Sequence, residues 1–93
     1  MIAAGSTIVQ VDIENDDGVA IFQAPVYIDY IKSVERAYGE DADGRQGVDM
    51  IEFSVLDKYL DADTLRRMRS DQVERALESA EHLFNRYPRD YVR

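Results

Sequence analysis

Residues 7 to 14, Thr-Ile-Val-Gln-Val-Asp-Ile-Glu, restrict this chain more than any other segment. They are rich in β-branched residues, and they alternate. Val9, Val11 and Ile13 fall on one face, and Ile8, Gln10, Asp12 and Glu14 on the other. A period of two places successive side chains on opposite sides of a strand. Asn15-Asp16-Asp17-Gly18 follows, a turn cluster with glycine where a positive φ is needed. Val19 to Ala24 reads as the returning strand. A lone hairpin is marginal in water, so this one must pack on helices or pair with another sheet edge.

The rest of the chain is read as helical. Pro25 suits a first helical position, where its missing N–H is no loss. Tyr27, Tyr30, Ile31, Val34, Ala37 and Tyr38 recur at helical spacing, and Gly39 would close that helix. An acidic, glycine-rich loop spans Glu40 to Gly47. A second helix is expected after Asp49, which has capping-box spacing to Glu52. Its apolar arc would be Ile51, Val55, Leu56, Tyr59 and Leu60, widened by Phe53. Thr64 to Arg69 is a candidate helical turn. Val73, Ala76, Leu77, Ala80, Leu83, Phe84 and Tyr87 then form an amphipathic stripe that ends before Pro88. Its start is placed at Ser70 or Asp71, with Asp71 and Glu74 as the capping pair. The expected architecture is α+β: an N-terminal β-hairpin packed on three to four α-helices. It forms a single small domain over 1–93, with 1–6 and 88–93 as flexible ends.

Composition removes whole classes of function. The 93 residues carry 19 acids against 11 bases, a net charge of −8, which is the wrong sign for binding nucleic acid through its phosphates. No apolar run approaches the roughly 18 residues of a membrane span. There is no cysteine and only one histidine, His82, so thiolate chemistry and multi-histidine metal sites are excluded within one chain. Ser6, Ser33, Ser54, Ser70 and Ser79 lack a nucleophile-elbow context. No glycine-rich phosphate loop is present, and no small-molecule substrate is indicated. Asp57, Asp61 and Asp63 read as a solvated helix end with an N-cap rather than a metal cluster. The opening residues lack a basic stretch followed by an apolar one, so the expected compartment is the cytoplasm.

Charge is uneven. Residues 1–63 hold 14 acids and 4 bases, a net −10, and residues 64–93 hold 5 acids and 7 arginines, a net +2. Such asymmetry, with Arg66, Arg67 and Arg69 at the basic end, suits head-to-tail association or a basic partner; the alternative is that the opposite charges neutralise each other inside one fold. The six tyrosines, Tyr27, Tyr30, Tyr38, Tyr59, Tyr87 and Tyr91, suit an interface, because tyrosine is apolar with a polar tip, and Tyr27, Tyr30 and Tyr38 are the candidate interface residues among them; a core rim is the equal alternative.

One stretch carries metal chemistry. Asp41-Ala-Asp43-Gly-Arg45-Gln46-Gly47-Val48-Asp49-Met-Ile-Glu52-Phe53 resembles an EF-hand calcium loop. The resemblance implies Asp41, Asp43, Asp49 and Glu52 as oxygen ligands, with Phe53, Leu56 and Leu60 on an exiting helix. Arg45 and Gln46 depart from it, standing where the family uses an oxygen ligand and a glycine. The order of strand–turn–strand over Ile8 to Ala24, then helices, also resembles small bacteriophage accessory proteins of the tail-assembly-chaperone type. That resemblance implies a protein that binds another protein and catalyses nothing. The expected function is thus a non-catalytic interaction or assembly module, with another protein or itself as partner and no cofactor. The alternative is a calcium-binding protein using residues 41–52.

Overall fold

A computed structural model describes residues 1–38 and 47–92. Three long antiparallel strands come first: β1 (Ile2–Glu14), β2 (Ala20–Tyr38) and β3 (Gly47–Tyr59). They form one sheet in the order β1-β2-β3. Three helices follow: α1 (Ala62–Arg66), α2 (Ser70–Arg86) and α3 (Pro88–Tyr91). Only α2 exceeds two turns. Among the described residues this is an α+β fold, but not a hairpin under three to four helices. The two segments read as helices, over 27–38 and from 50 onward, are strands through Tyr38 and Tyr59.

Each substitution of strand for helix has a local cause. Six of the nine residues 26–34 are Val, Ile or Tyr, which fit a pleated surface. Val26 and Ile28 on one face are fully buried, so the period of two wins over the coincidental helical spacing. In β3 the inward positions are Ile51, Phe53 and Val55, and then Lys58, with Leu60 just past the strand's end. The step of three follows from a β-bulge: Tyr30 pairs with Val55 but Asp29 pairs with Asp57, leaving Leu56 as an extra residue. That insertion makes an alternating strand imitate helical spacing.

Pro25 lies inside β2 rather than starting a helix. Met1 and Val34 exchange both backbone hydrogen bonds, each 2.9 Å long. Alternation along the continuous β1–β2 register then makes every odd residue of β1 hydrogen-bonded to β2 and every even one not. Pro25 faces Gln10, an even residue, so its nitrogen points away from β1. On that side β3 has already ended, since its last pair is Tyr59 with Tyr27. The proline therefore removes no ladder bond.

The Asn15–Gly18 turn forms as expected. Gly18 has φ +77°, and the Asn15 side chain accepts from the N–H groups of Asp17 and Val19. The core lies between one sheet face and α2. It comprises Val9, Val11, Ile13, Ala24, Val26, Ile28 and Leu60 on the sheet side, closed by Ala76, Ala80 and Phe84. The stripe read for α2 supplies these contacts, although Tyr87 at its end is exposed. The start of α2 is set by Gln72, not by Asp71 and Glu74. Gln72 is buried, accepts from the Arg69 N–H at 2.9 Å and donates to the Glu14 carbonyl at 2.9 Å. Residues 2–6 belong to β1, and residues 88–91 form the one-turn α3, whose Tyr91 carbonyl accepts from the Thr7 hydroxyl.

The molecule is elongated, 59 × 24 × 18 Å, with a radius of gyration of 17.6 Å. A compact chain of this length has about 12 Å. The excess comes from the sheet, whose 19-residue β2 runs well past the 17-residue α2 packed on it, because a strand rises about 3.3 Å per residue and a helix about 1.5 Å.

Candidate interaction surface

Helix α2 covers one face of the sheet, and the other face has no covering element among the described residues. An antiparallel sheet tolerates one solvated face when that face is polar. Here it is mixed. Pairing places Ile8, Tyr27 and Tyr59 in one row across all three strands. Ile8 is 46% exposed and Tyr59 is 44% exposed. The rings of Tyr27 and Tyr59 stack with centroids 5.4 Å apart and planes 11° off parallel. Acids and amides flank the row. Ser6 donates to Asp29 at 2.7 Å on one side, and Gln23 donates to Asp12 at 3.0 Å on the other. Farther along the same face stand Ile31, Ile2 and Met50, the last two more than half exposed. An apolar row rimmed by polar groups is the anatomy of a contact surface.

Tyr27 and Tyr30, two of the three candidate tyrosines, lie on opposite faces of the sheet. Tyr27 is on the open face. Tyr30 is on the helix side, its ring 5.4 Å from Phe84 and 6.2 Å from Phe53, and so it belongs to the core rim. Tyr38 ends β2 opposite Gly47. Ile8 was missed, and Tyr59 stood among the six tyrosines but outside the three chosen. The signal for Ile8 was present: it is the one large apolar residue on the outward face of residues 7–14, beside Gln10, Asp12 and Glu14.

The arginines are engaged within the chain. Arg66 pairs with Asp63 at 2.7 Å, and Arg69 pairs with Asp16 at 2.7 Å and with Asp71 at 3.3 Å. Arg67 lies over the Phe22 ring at 4.2 Å, a cation–π contact. Arg66 and Arg69 thus pair with acids of their own fold, and Arg67 with a ring. The hydrogen bond from Arg69 lowers the carboxyl pKa of Asp16, and the one from Arg75 lowers that of Asp71. Asp61 caps α1, accepting from the Thr64 N–H at 2.7 Å, and that bond lowers its pKa too.

Of the four calcium-ligand positions, Asp41 and Asp43 lie outside the described residues. Asp49 and Glu52 lie on β3, with Asp49 paired across to Arg36, so the helix that should leave the loop is a strand. Among the described residues no group of three or more His, Asp or Glu side chains is placed to hold a metal ion. His82 is exposed on the polar side of α2. No helix of the described residues is long and apolar enough to cross a membrane.

Fold and surface together define an α+β domain of three antiparallel strands with one face packed on a helix and the other open. Comparison with family models, curated proteins and solved structures finds no match to this chain.

Proposed function

We propose that this chain is a non-catalytic protein-interaction or assembly module that works through the uncovered face of its sheet. The observation that carries the reading is the Ile8–Tyr27–Tyr59 row, which exposes stacked aromatic surface instead of burying it. Tyrosine rings supply contact area at little cost in conformational entropy. The partner is another protein or a further copy of this one. A net charge of −8 disfavours nucleic acid.

A phage or prophage assembly context was suggested by an order of hairpin then helices. Three strands precede the helices, so the contact reading rests on the sheet instead. Tail-component genes adjacent to this one would support that context, and their absence would remove it. A calcium role draws no support from Asp49 and Glu52, which a strand rather than a helix presents.

The test is a paired substitution, Tyr27→Ser with Tyr59→Ser. Affinity purification from the producing cells, quantified against wild type, should lose a defined set of proteins, while thermal unfolding changes little. Identical recovery by both chains would overturn the reading.

A further inference from the structure

The two outer edges of the sheet are not equivalent. The β3 edge is interrupted by the bulge at Leu56 and carries Asp49, Glu52, Asp57 and Lys58. Bulges and charges are the usual protection against edge-to-edge pairing. The β1 edge has neither over most of its length. Its register runs unbroken from Ile2 to Ile13, and residues 2–11 contain no charged side chain and no proline. The alternation set by Met1 and Val34 directs the N–H and C=O groups of Ala4, Ser6, Ile8 and Gln10 away from β2. Among the described residues no hydrogen bond to these outward groups is found.

We propose that this edge pairs antiparallel with β1 of a second copy, about a two-fold axis beside Ile8, to give a continuous six-stranded sheet. The inference rests on the contact reading above and names the partner. Charge decides the orientation. A parallel, in-register pairing would set Asp12 against Asp12 and Glu14 against Glu14, which is unfavourable. The antiparallel pairing sets Asp12 opposite Ala4 and Glu14 opposite Ile2, with Gln10 opposite Ser6. It also joins the two apolar rows, so Tyr59, Tyr27 and Ile8 continue directly into Ile8, Tyr27 and Tyr59 of the second copy.

Space agrees with this register. Beside the edge, between Val11–Glu14 and α2, lies an open groove of about 170 Å³ lined by Gln72, Arg75, Ala76 and Ser79. A strand added at the usual spacing of about 4.8 Å would border it. In this register Gly5 and Ala3 of the second copy stand opposite Val11 and Ile13, so the added strand itself brings only small residues to the groove. A basic peptide would fit less well, because the first ten residues of the edge offer it no carboxylate.

The experiment is sedimentation of the full chain from micromolar to high-micromolar concentration, for wild type, Ala4→Pro and Gln10→Pro. Both substitutions remove an outward N–H and spare every bond to β2. A wild-type dimer is expected, with both variants monomeric and still cooperatively folded by circular dichroism. Amide exchange at Ala4, Ser6, Ile8 and Gln10 should slow at least tenfold as the dimer fills. A wild type that stays monomeric throughout overturns the proposal, as does a dimer that persists in both folded variants. So does a monomer whose edge binds an extended basic peptide. None of these outcomes overturns the open-face reading, which the Tyr27 and Tyr59 substitutions test separately. If either variant fails to fold, the concentration dependence of amide exchange in wild type decides.

Discussion

The ring of Tyr30 lies across Gly5 on the neighbouring strand, so close that a Cβ added at Gly5 would overlap the tyrosine hydroxyl. The two residues are direct partners in the β1–β2 ladder. The ring cannot swing aside freely, because Phe53 and Phe84 hold it. Gly5 thus serves as the bed for an aromatic that closes the upper end of the core. Gly5→Ala should displace the ring and cost about 1–3 kcal/mol, as overpacking does. Denaturant unfolding measures the loss. In a Tyr30→Leu background the same change should cost clearly less, and equal costs in both backgrounds would refute the contact.

Phe84 is fully buried and touches the rings of Tyr30, Phe53 and Tyr91. It is the main anchor of α2 on the sheet. Phe84→Ala should cost about 3–5 kcal/mol. In a domain with a total stability on the order of 5–10 kcal/mol, the midpoint of urea unfolding should fall by about a third or more.

Gln72 ties the start of α2 to the end of β1 through two hydrogen bonds. Gln72→Leu keeps the volume but leaves the Arg69 N–H and the Glu14 carbonyl without this partner. A loss of about 1–3 kcal/mol is expected. Hydrogen exchange should show it first at the N-terminal turn of α2.

Acid should weaken the fold through three carboxylates. Asp16, Asp61 and Asp71 all have pKa values lowered in the folded chain, chiefly by hydrogen bonds from Arg69, Thr64 and Arg75 respectively. A lowered folded pKa means stability that is present above the unfolded value, near 3.8, and is lost as pH falls through the folded one. All three side chains are exposed, so each effect is small. Melting followed from pH 6 to pH 2.5 should show a steeper acid loss in wild type than in a variant with all three changed to Asn. Parallel curves would sink the assignment.

Pro25 should be replaceable. Because its nitrogen faces the space beyond β3, Pro25→Ala should change stability by less than about 1 kcal/mol. Val26→Pro should cost about 3 kcal/mol or more, since Val26 pairs with Val9 at a hydrogen-bonded position. Equal effects from the two substitutions would show that the β1–β2 register differs from the one described.

The hairpin over 7–24 and helix α2 were legible because each has a simple period and clean punctuation. Val9, Val11 and Ile13 alternate up to an Asn-Asp-Asp-Gly turn, and Ala76, Ala80 and Phe84 step by four up to a proline. The middle of the chain misled for specific reasons. Pro25 looked like a helix start because nothing local shows that β3 ends two residues short of it. Leu56 broke the period of two in β3 and produced helical spacing from a strand. The interaction surface was half visible: Tyr27 was read as an interface residue, but its stacking partner Tyr59 is distant in sequence. Arg67 and Arg69 looked available because Phe22 and Asp16, which hold them, lie about fifty residues away along the chain.

Local chemistry by itself determined the turn at Gly18, the inward face of β1, the amphipathic stripe of α2 and the charge that disfavours nucleic acid. Those depend on residues a few positions apart. Tertiary structure decided that residues 26–38 and 47–59 are strands, which face is left open and which edge is left unpaired. Strand pairing is a non-local interaction: its hydrogen bonds and buried rows join residues such as Ile8, Tyr27 and Tyr59, and no window of sequence contains both sides of the ladder.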